Sequence, residues 1–262
     1  TMALSCREME DILMQELRLY HHPIAVTWMF TDAEVVDFAR KTPHCRPVKP
    51  LTFCQWEIAA RMQGKTVLGR AEDLDCSGGL VSFGWRDAHD PRHLKTLSGN
   101  CLDTPQIERF MRAKPRMETD SLKAVAVGPL GRATAVPHVV HFYCDAMQAY
   151  HLSVDYMAAT DTPALRPIMT GAAASCGGAV FSWQEDTFNL CPACSGNFNA
   201  GKMERGELNV FIPGDQIEAV VDRLSARINK TGGSSVTRPG EPFPGSDICK
   251  NCPQILFREG KA

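Results

Sequence analysis

No stretch of the 262-residue chain approaches the ~20 consecutive apolar residues that a membrane-spanning helix needs. No block of Lys and Arg is present, and the formal net charge is −2. Nucleic acids and anionic membranes recruit clustered cations, so neither partner is expected. The opening residues, TMALSCREMEDILMQEL, are acidic where a secretory leader is basic and then apolar. The expected location is therefore the cytoplasm. The chain also lacks GxSxG, Walker, HExxH and GxGxxG arrangements, which leaves hydrolase, nucleoside-triphosphatase and dinucleotide-binding functions without a motif. The chain is long enough to bury a core without covalent staples, and its 44% hydrophobic content is that of an ordinary globular domain.

Cysteine is what the sequence does have. There are eleven: Cys6, Cys45, Cys54, Cys76, Cys101, Cys144, Cys176, Cys191, Cys194, Cys249 and Cys252. An odd number without an export signal argues against a disulfide framework and for metal binding or thiol redox chemistry.

Short β-rich runs predict strands at PIAVTWMF (23–30), LVSFGW (80–85), LKAVAVGPL (122–130), PHVVHFYC (137–144), AVFSW (179–183) and ELNVFIP (207–213). Helices are predicted over 6–20, after Thr31 or Asp32, from Thr52 with Gln55 at capping-box spacing, from Thr104 to about Ala113, after Asp145 to about Ala159, and over 214–228. Residues 86–101 read as irregular. The Gly-, Ser- and Pro-rich stretch 229–247 reads as a flexible arm that carries Cys249 and Cys252 back to the body. The fold expected is α/β: one domain over 1–228 with a mixed sheet of about six strands, and the arm over 229–262.

Two stretches resemble each other, CSGGLVSFGW (76–85) and CGGAVFSW (176–183). Upstream of each lies a Pro, a strand and an Asp-bearing helix start, in PIAVTWMFTDAEVVDFA and PHVVHFYCDAMQAYHLS. The pattern predicts two related halves, about 20–86 and 134–184, packed about a pseudo-twofold axis. Cys76 and Cys176 would meet near that axis. Glycine admits close backbone approach, and backbone N–H groups favour anions, so Gly78, Gly79, Gly177 and Gly178 are candidate cofactor-binding residues.

The pairs CPAC (191–194) and CKNC (249–252) form CxxC…CxxC, a spacing that lets four sulfurs reach one metal. Each pair alone could instead serve as a redox dithiol. Cys54, Cys76 and Cys176, with Cys191, form a second constellation suited to a [4Fe–4S] cluster. A single buried cysteine is ordinarily a small apolar filler. Three of them, one in the first turn of a helix and two beside glycine pairs, point beyond that. The candidate metal ligands are thus Cys54, Cys76, Cys176, Cys191, Cys194, Cys249 and Cys252. Each histidine reads as an ordinary surface or core residue.

HPIAVTW, FCQWEIAARMQGK, DCSGGLVSFGW, KAVAVGPLGRATAVPHVVHFYCDAMQA, Cys176, Cys191 and GELNVFIPGDQIEAVVDRL, in that order, resemble the prokaryotic domain-of-unknown-function family 169 over about 10–228. The resemblance implies a ligand set of Cys54, Cys76, Cys176 and Cys191 and an oxygen-poor cytoplasm. It implies no activity. Cys194 and CKNCP depart from the plainer family pattern. The function expected is an iron–sulfur protein, in first place a redox enzyme of anaerobic metabolism. Its cofactor would be one [4Fe–4S] cluster or two. Its partner would be a small-molecule substrate or an electron-transfer protein, with a homo-oligomer left open. Structural zinc binding and thiol-redox or metal-delivery activity are the alternatives.

Overall fold

The computed structural model describes residues 3–99, 103–169 and 172–231. In chain order the elements are α1 (Cys6–Glu16), β1 (Ile24–Met29), α2 (Asp32–Lys41), α3 (Phe53–Arg61), β2 (Val67–Gly69), α4 (Ser77–Ser82), α5 (Pro91–Ser98) and α6 (Thr104–Ala113). Then come β3 (Ala124–Pro129), β4 (Val139–Asp145), α7 (Ala146–Thr160), α8 (Ala174–Gln184), β5 (Asn189–Cys191), α9 (Ser195–Asn199), β6 (Glu207–Pro213) and α10 (Ile217–Thr231). Capping boxes start the helices where the sequence places them: Thr31 with Glu34, Thr52 with Gln55, and Asp145 with Gln148.

The six strands form one sheet in the order β2-β3-β1-β4-β6-β5. The period-two alternation of each strand divides its side chains between two cores. Ile24, Val26, Trp28, Val139, Tyr143 and Phe211 face α3, α4 and α8. Ala25, Val140, Phe142, Cys144, Val210 and Ile212 face α1, α7 and α10. The result is a three-layer α/β/α sandwich, and the α/β class stands.

Three expectations are corrected. Every strand pairing is antiparallel, so the sheet is not mixed. LVSFGW and AVFSW are not strands but lie in or just beyond helices: α4 holds Leu80–Ser82, and α8 holds Ala179–Trp183. A short apolar run buried on all sides has no period to reveal its type, and α8 buries seven consecutive residues from Ala174 to Val180. The strands that complete the sheet, β2 and β5, have three residues each, too short for a sequence signal. Within 86–101, α5 is helical, begun by the Asp90 cap and Pro91.

The strand order is symmetric about the central antiparallel pair β1–β4, where Ala25 opposes Val140. On each side the third strand of a half lies next to the centre and the second lies at the edge. β3 and β6 both end in proline and lead into a single 3₁₀ turn. This symmetry changes the register of the repeat. Cys54 lies in the helix before β2, and Cys176 in the helix before β5; Cys76 and Cys194 cap the helices that follow those strands. The motifs that correspond are therefore CSGG (76–79) and CSGN (194–197), not the two Cys-Gly-Gly stretches.

Candidate metal centre

Four cysteines are delivered from four helix starts, with α3, α4 and α8 on one face of the sheet. Cys54 is the second residue of α3, and Cys176 the third of α8. Cys76 and Cys194 are the N-cap residues of α4 and α9. All four thiols are free, as is that of Cys191. Cys54 and Cys176 are buried, while Cys76 and Cys194 are partly exposed.

Gly196 shows how the sulfurs are arranged. A methyl group built there would sit 3.5 Å from Cys194 Sγ and 3.8 Å from Cys54 Sγ, so the bare glycine leaves a space that both sulfurs border. Cys76 Sγ lies over the start of α4, where the nearby backbone N–H groups of Gly79 and Gly78 favour its thiolate. Burial nevertheless raises the thiol pKa of Cys54, Cys76 and Cys176, and the thiolates of this set repel one another. In the metal-free chain at neutral pH, Cys54, Cys76 and Cys176 therefore stay protonated. A bound cation relieves both penalties at once.

Two buried polar groups point to an anion in this space. Lys114 is 6% exposed, and its ammonium donates to Gly78 O (3.2 Å) and lies 3.0 Å from His93 Nε2. Among the described residues no carboxylate pairs with it. Burial pulls its pKa down to about 8, against the opposing pull of Cys176, Cys76 and Cys194. Ser82 is fully buried, its Oγ has no nitrogen or oxygen partner, and it lies beside Cys176, whose thiolate its hydroxyl would favour. An uncompensated ammonium and an orphan hydroxyl facing several thiols fit a metal–thiolate group with net negative charge.

The other predicted residues divide. Cys191 packs in the same core; its Sγ donates to Ala174 O at 3.8 Å, and burial pushes its thiol up to about 12, with Cys194 the one cysteine whose charge adds to this. Gly178 lies against the Phe211 ring, where packing leaves no room for a side chain, and Gly79 packs tightly under Leu74, whose methyl group would have to give by a few tenths of an ångström to admit one. Gly78 lends its carbonyl to Lys114, and Gly177 has ordinary space around it. Cys249 and Cys252, with the whole arm after 231, lie outside the described residues. Among the described residues, no three His, Cys, Asp or Glu side chains stand in position to hold a single metal ion.

Sequence reasoning missed several polar groups. Behind Cys54 lies a buried network of Glu57, His141, Tyr143, Ser175, Asn197 and Asn209. A carboxylate on the apolar stripe of α3 and a histidine inside VVHFY were the available signals, because neither group is buried without a partner. Lys114 and Ser82 carried no signal in the sequence. Only the fold brings them to the cysteines.

No curated protein and no solved structure matches the chain. A family model described as uncharacterised ArCR matches residues 12–223, from the first helix into the last. The chain belongs to the domain-of-unknown-function family 169.

Proposed function

We propose that the protein is an iron–sulfur protein whose cluster is ligated by Cys54, Cys76, Cys176 and Cys194, and that it performs redox chemistry on a small molecule or for an electron-transfer partner. One observation carries this reading: Cys76, Cys176 and Cys194, from three helix starts, lie near the buried ammonium of Lys114, which has no carboxylate partner among the described residues, and Cys54 joins them across the space at Gly196. Ligands spread around a volume suit a cluster better than one ion, which needs its sulfurs close together. Cys194 takes the place of Cys191 in this ligand set, because its sulfur borders the space at Gly196 together with that of Cys54, and its charge acts on Cys54, Cys76 and Cys176.

A cluster bound there would supply one-electron transfer. The chain's own groups would do the rest. Lys114 would offset negative charge, Ser82 and the Gly78 and Gly79 N–H groups would favour negative charge on sulfur, and the apolar wall of Trp28, Phe53 and Phe83 would exclude water. The partly exposed Cys76 and Cys194 mark the side at which an electron or substrate would arrive.

The test is the visible spectrum of protein purified without oxygen. A brown protein whose broad absorption bleaches on reduction supports the proposal. A colourless protein with one zinc supports the structural alternative. A colourless, metal-free protein with a measurable dithiol–disulfide potential supports the thiol-redox alternative.

A further inference from the structure

The buried network behind Cys54 can be assigned atom by atom. Asn209 Nδ2 donates to the carbonyls of Cys191 and Pro192, both at 3.4 Å, which leaves its Oδ1 facing His141 Nε2 at 3.0 Å. His141 Nε2 therefore carries a hydrogen. On the other side of the ring, His141 Nδ1 lies 2.7 Å from Glu57 Oε1. Glu57 Oε2 already accepts from Tyr143 Oη at 2.6 Å and Ser175 Oγ at 2.8 Å. One hydrogen joins His141 Nδ1 and Glu57 Oε1, so each of these fully buried groups satisfies the other.

The hydroxyl hydrogens of Tyr143 and Ser175 are thereby committed to Glu57, and both oxygens turn lone pairs towards Asn197. Asn197 Oδ1 accepts from Cys194 N at 3.2 Å. Its Nδ2 then faces Ser175 Oγ (2.9 Å), Tyr143 Oη (3.1 Å) and Cys54 Sγ (3.8 Å).

We propose that Glu57, held in place by His141, is a positioning residue for the cysteine centre: it holds the Tyr143 and Ser175 hydroxyls so that the Asn197 amide donates to the Cys54 sulfur. This rests on the reading of Cys54 as a ligand. A donor on a ligating sulfur stabilises the more negative, reduced state and raises the reduction potential.

The test is made on the full chain. Glu57→Gln keeps the shape and the acceptor for both hydroxyls. After reconstitution with ferrous iron and sulfide, Asn197→Ala and Glu57→Leu should shift the midpoint potential downward at full iron content, while Glu57→Gln keeps the wild-type value. Asn197→Asp retains the acceptor for Cys194 N and covers the case that the alanine variant misfolds; it should shift the potential downward as well. Full iron with an unmoved potential in Asn197→Ala or Asn197→Asp overturns this inference alone. Failure of the wild type to take up iron overturns the proposed function, and the positioning role with it.

Discussion

Cys76 and Cys194 occupy the same place in the two halves of the sheet. Each is the N-cap of the short helix that follows an edge strand, in Cys-Ser-Gly-Gly and Cys-Ser-Gly-Asn respectively. Cys54 and Cys176 are related in the same way, in the helices that precede those strands. The candidate ligand set is thus two pairs, one member from each half.

The pairing makes a prediction about cysteines three residues apart. Cys194→Ser should lose at least half of the bound iron. Cys191→Ser should keep most of it, because the Cys191 thiol is turned to the Ala174 carbonyl. Iron analysis of the two variants, purified side by side without oxygen, checks this. The reverse order would return the fourth ligand to Cys191.

Lys114 should be a burden to the metal-free protein and an asset to the loaded one. Its charge is buried without a carboxylate among the described residues. Lys114→Met should stabilise the metal-free chain by about 1–3 kcal/mol, the scale seen when buried charges give way to apolar groups. The same substitution should lower the midpoint potential of the loaded protein. Thermal melts and a redox titration read the two effects. A lower melting temperature in the metal-free variant would contradict the first.

The glycine pair of α8 should respond asymmetrically to alanine. A methyl group at Gly178 would enter the Phe211 ring, whereas at Gly177 the nearest atom, Ser82 Oγ, is 3.7 Å away. Gly178→Ala should destabilise by about 1–3 kcal/mol through overpacking. Gly177→Ala should be neutral or gain up to about 1 kcal/mol from helix propensity. Urea midpoints of the two variants decide the matter. Equal losses would mean that both glycines serve a common purpose other than packing.

His93 predicts an acid limit to stability. It is fully buried, and burial first, then the Lys114 charge, lowers its pKa to about 4. The unfolded chain, with an ordinary imidazole near about 6.5, binds the proton more readily. The contribution to stability is thus fully present above about pH 6.5 and is lost as pH falls towards about 4. Urea unfolding of the metal-free protein at pH 7 and pH 4.5 should show the loss, and His93→Gln should reduce it.

The sequence carried those parts of the fold that announce themselves locally. The capping-box spacing of Thr52 and Gln55 and the cap at Asp145 placed two helix starts, and the start at Thr31 was placed to within one residue. The strands of six or seven residues, β1, β3, β4 and β6, were legible from β-branched runs. The Cys-Gly-Gly segments misled, because a helix buried on all sides has no amphipathic period and its apolar run imitates a strand. The sequence pattern set Cys76 against Cys176, whereas by its place before and after the edge strands Cys76 corresponds to Cys194. Most of the cysteines of the site were legible as a class. The groups that give the site its charge and donors, Lys114, Ser82 and Glu57 among them, become neighbours of sulfur only through long-range packing.

The most direct test of the central claim is iron and acid-labile sulfide in protein purified without oxygen, measured in the wild type and in a variant with Cys54, Cys76, Cys176 and Cys194 all replaced by serine. The account predicts about four irons and four sulfides per chain in the wild type, and none above background in the variant if these residues are the sole ligands. Wild-type protein without sulfide, or a quadruple variant that keeps its iron, would contradict it.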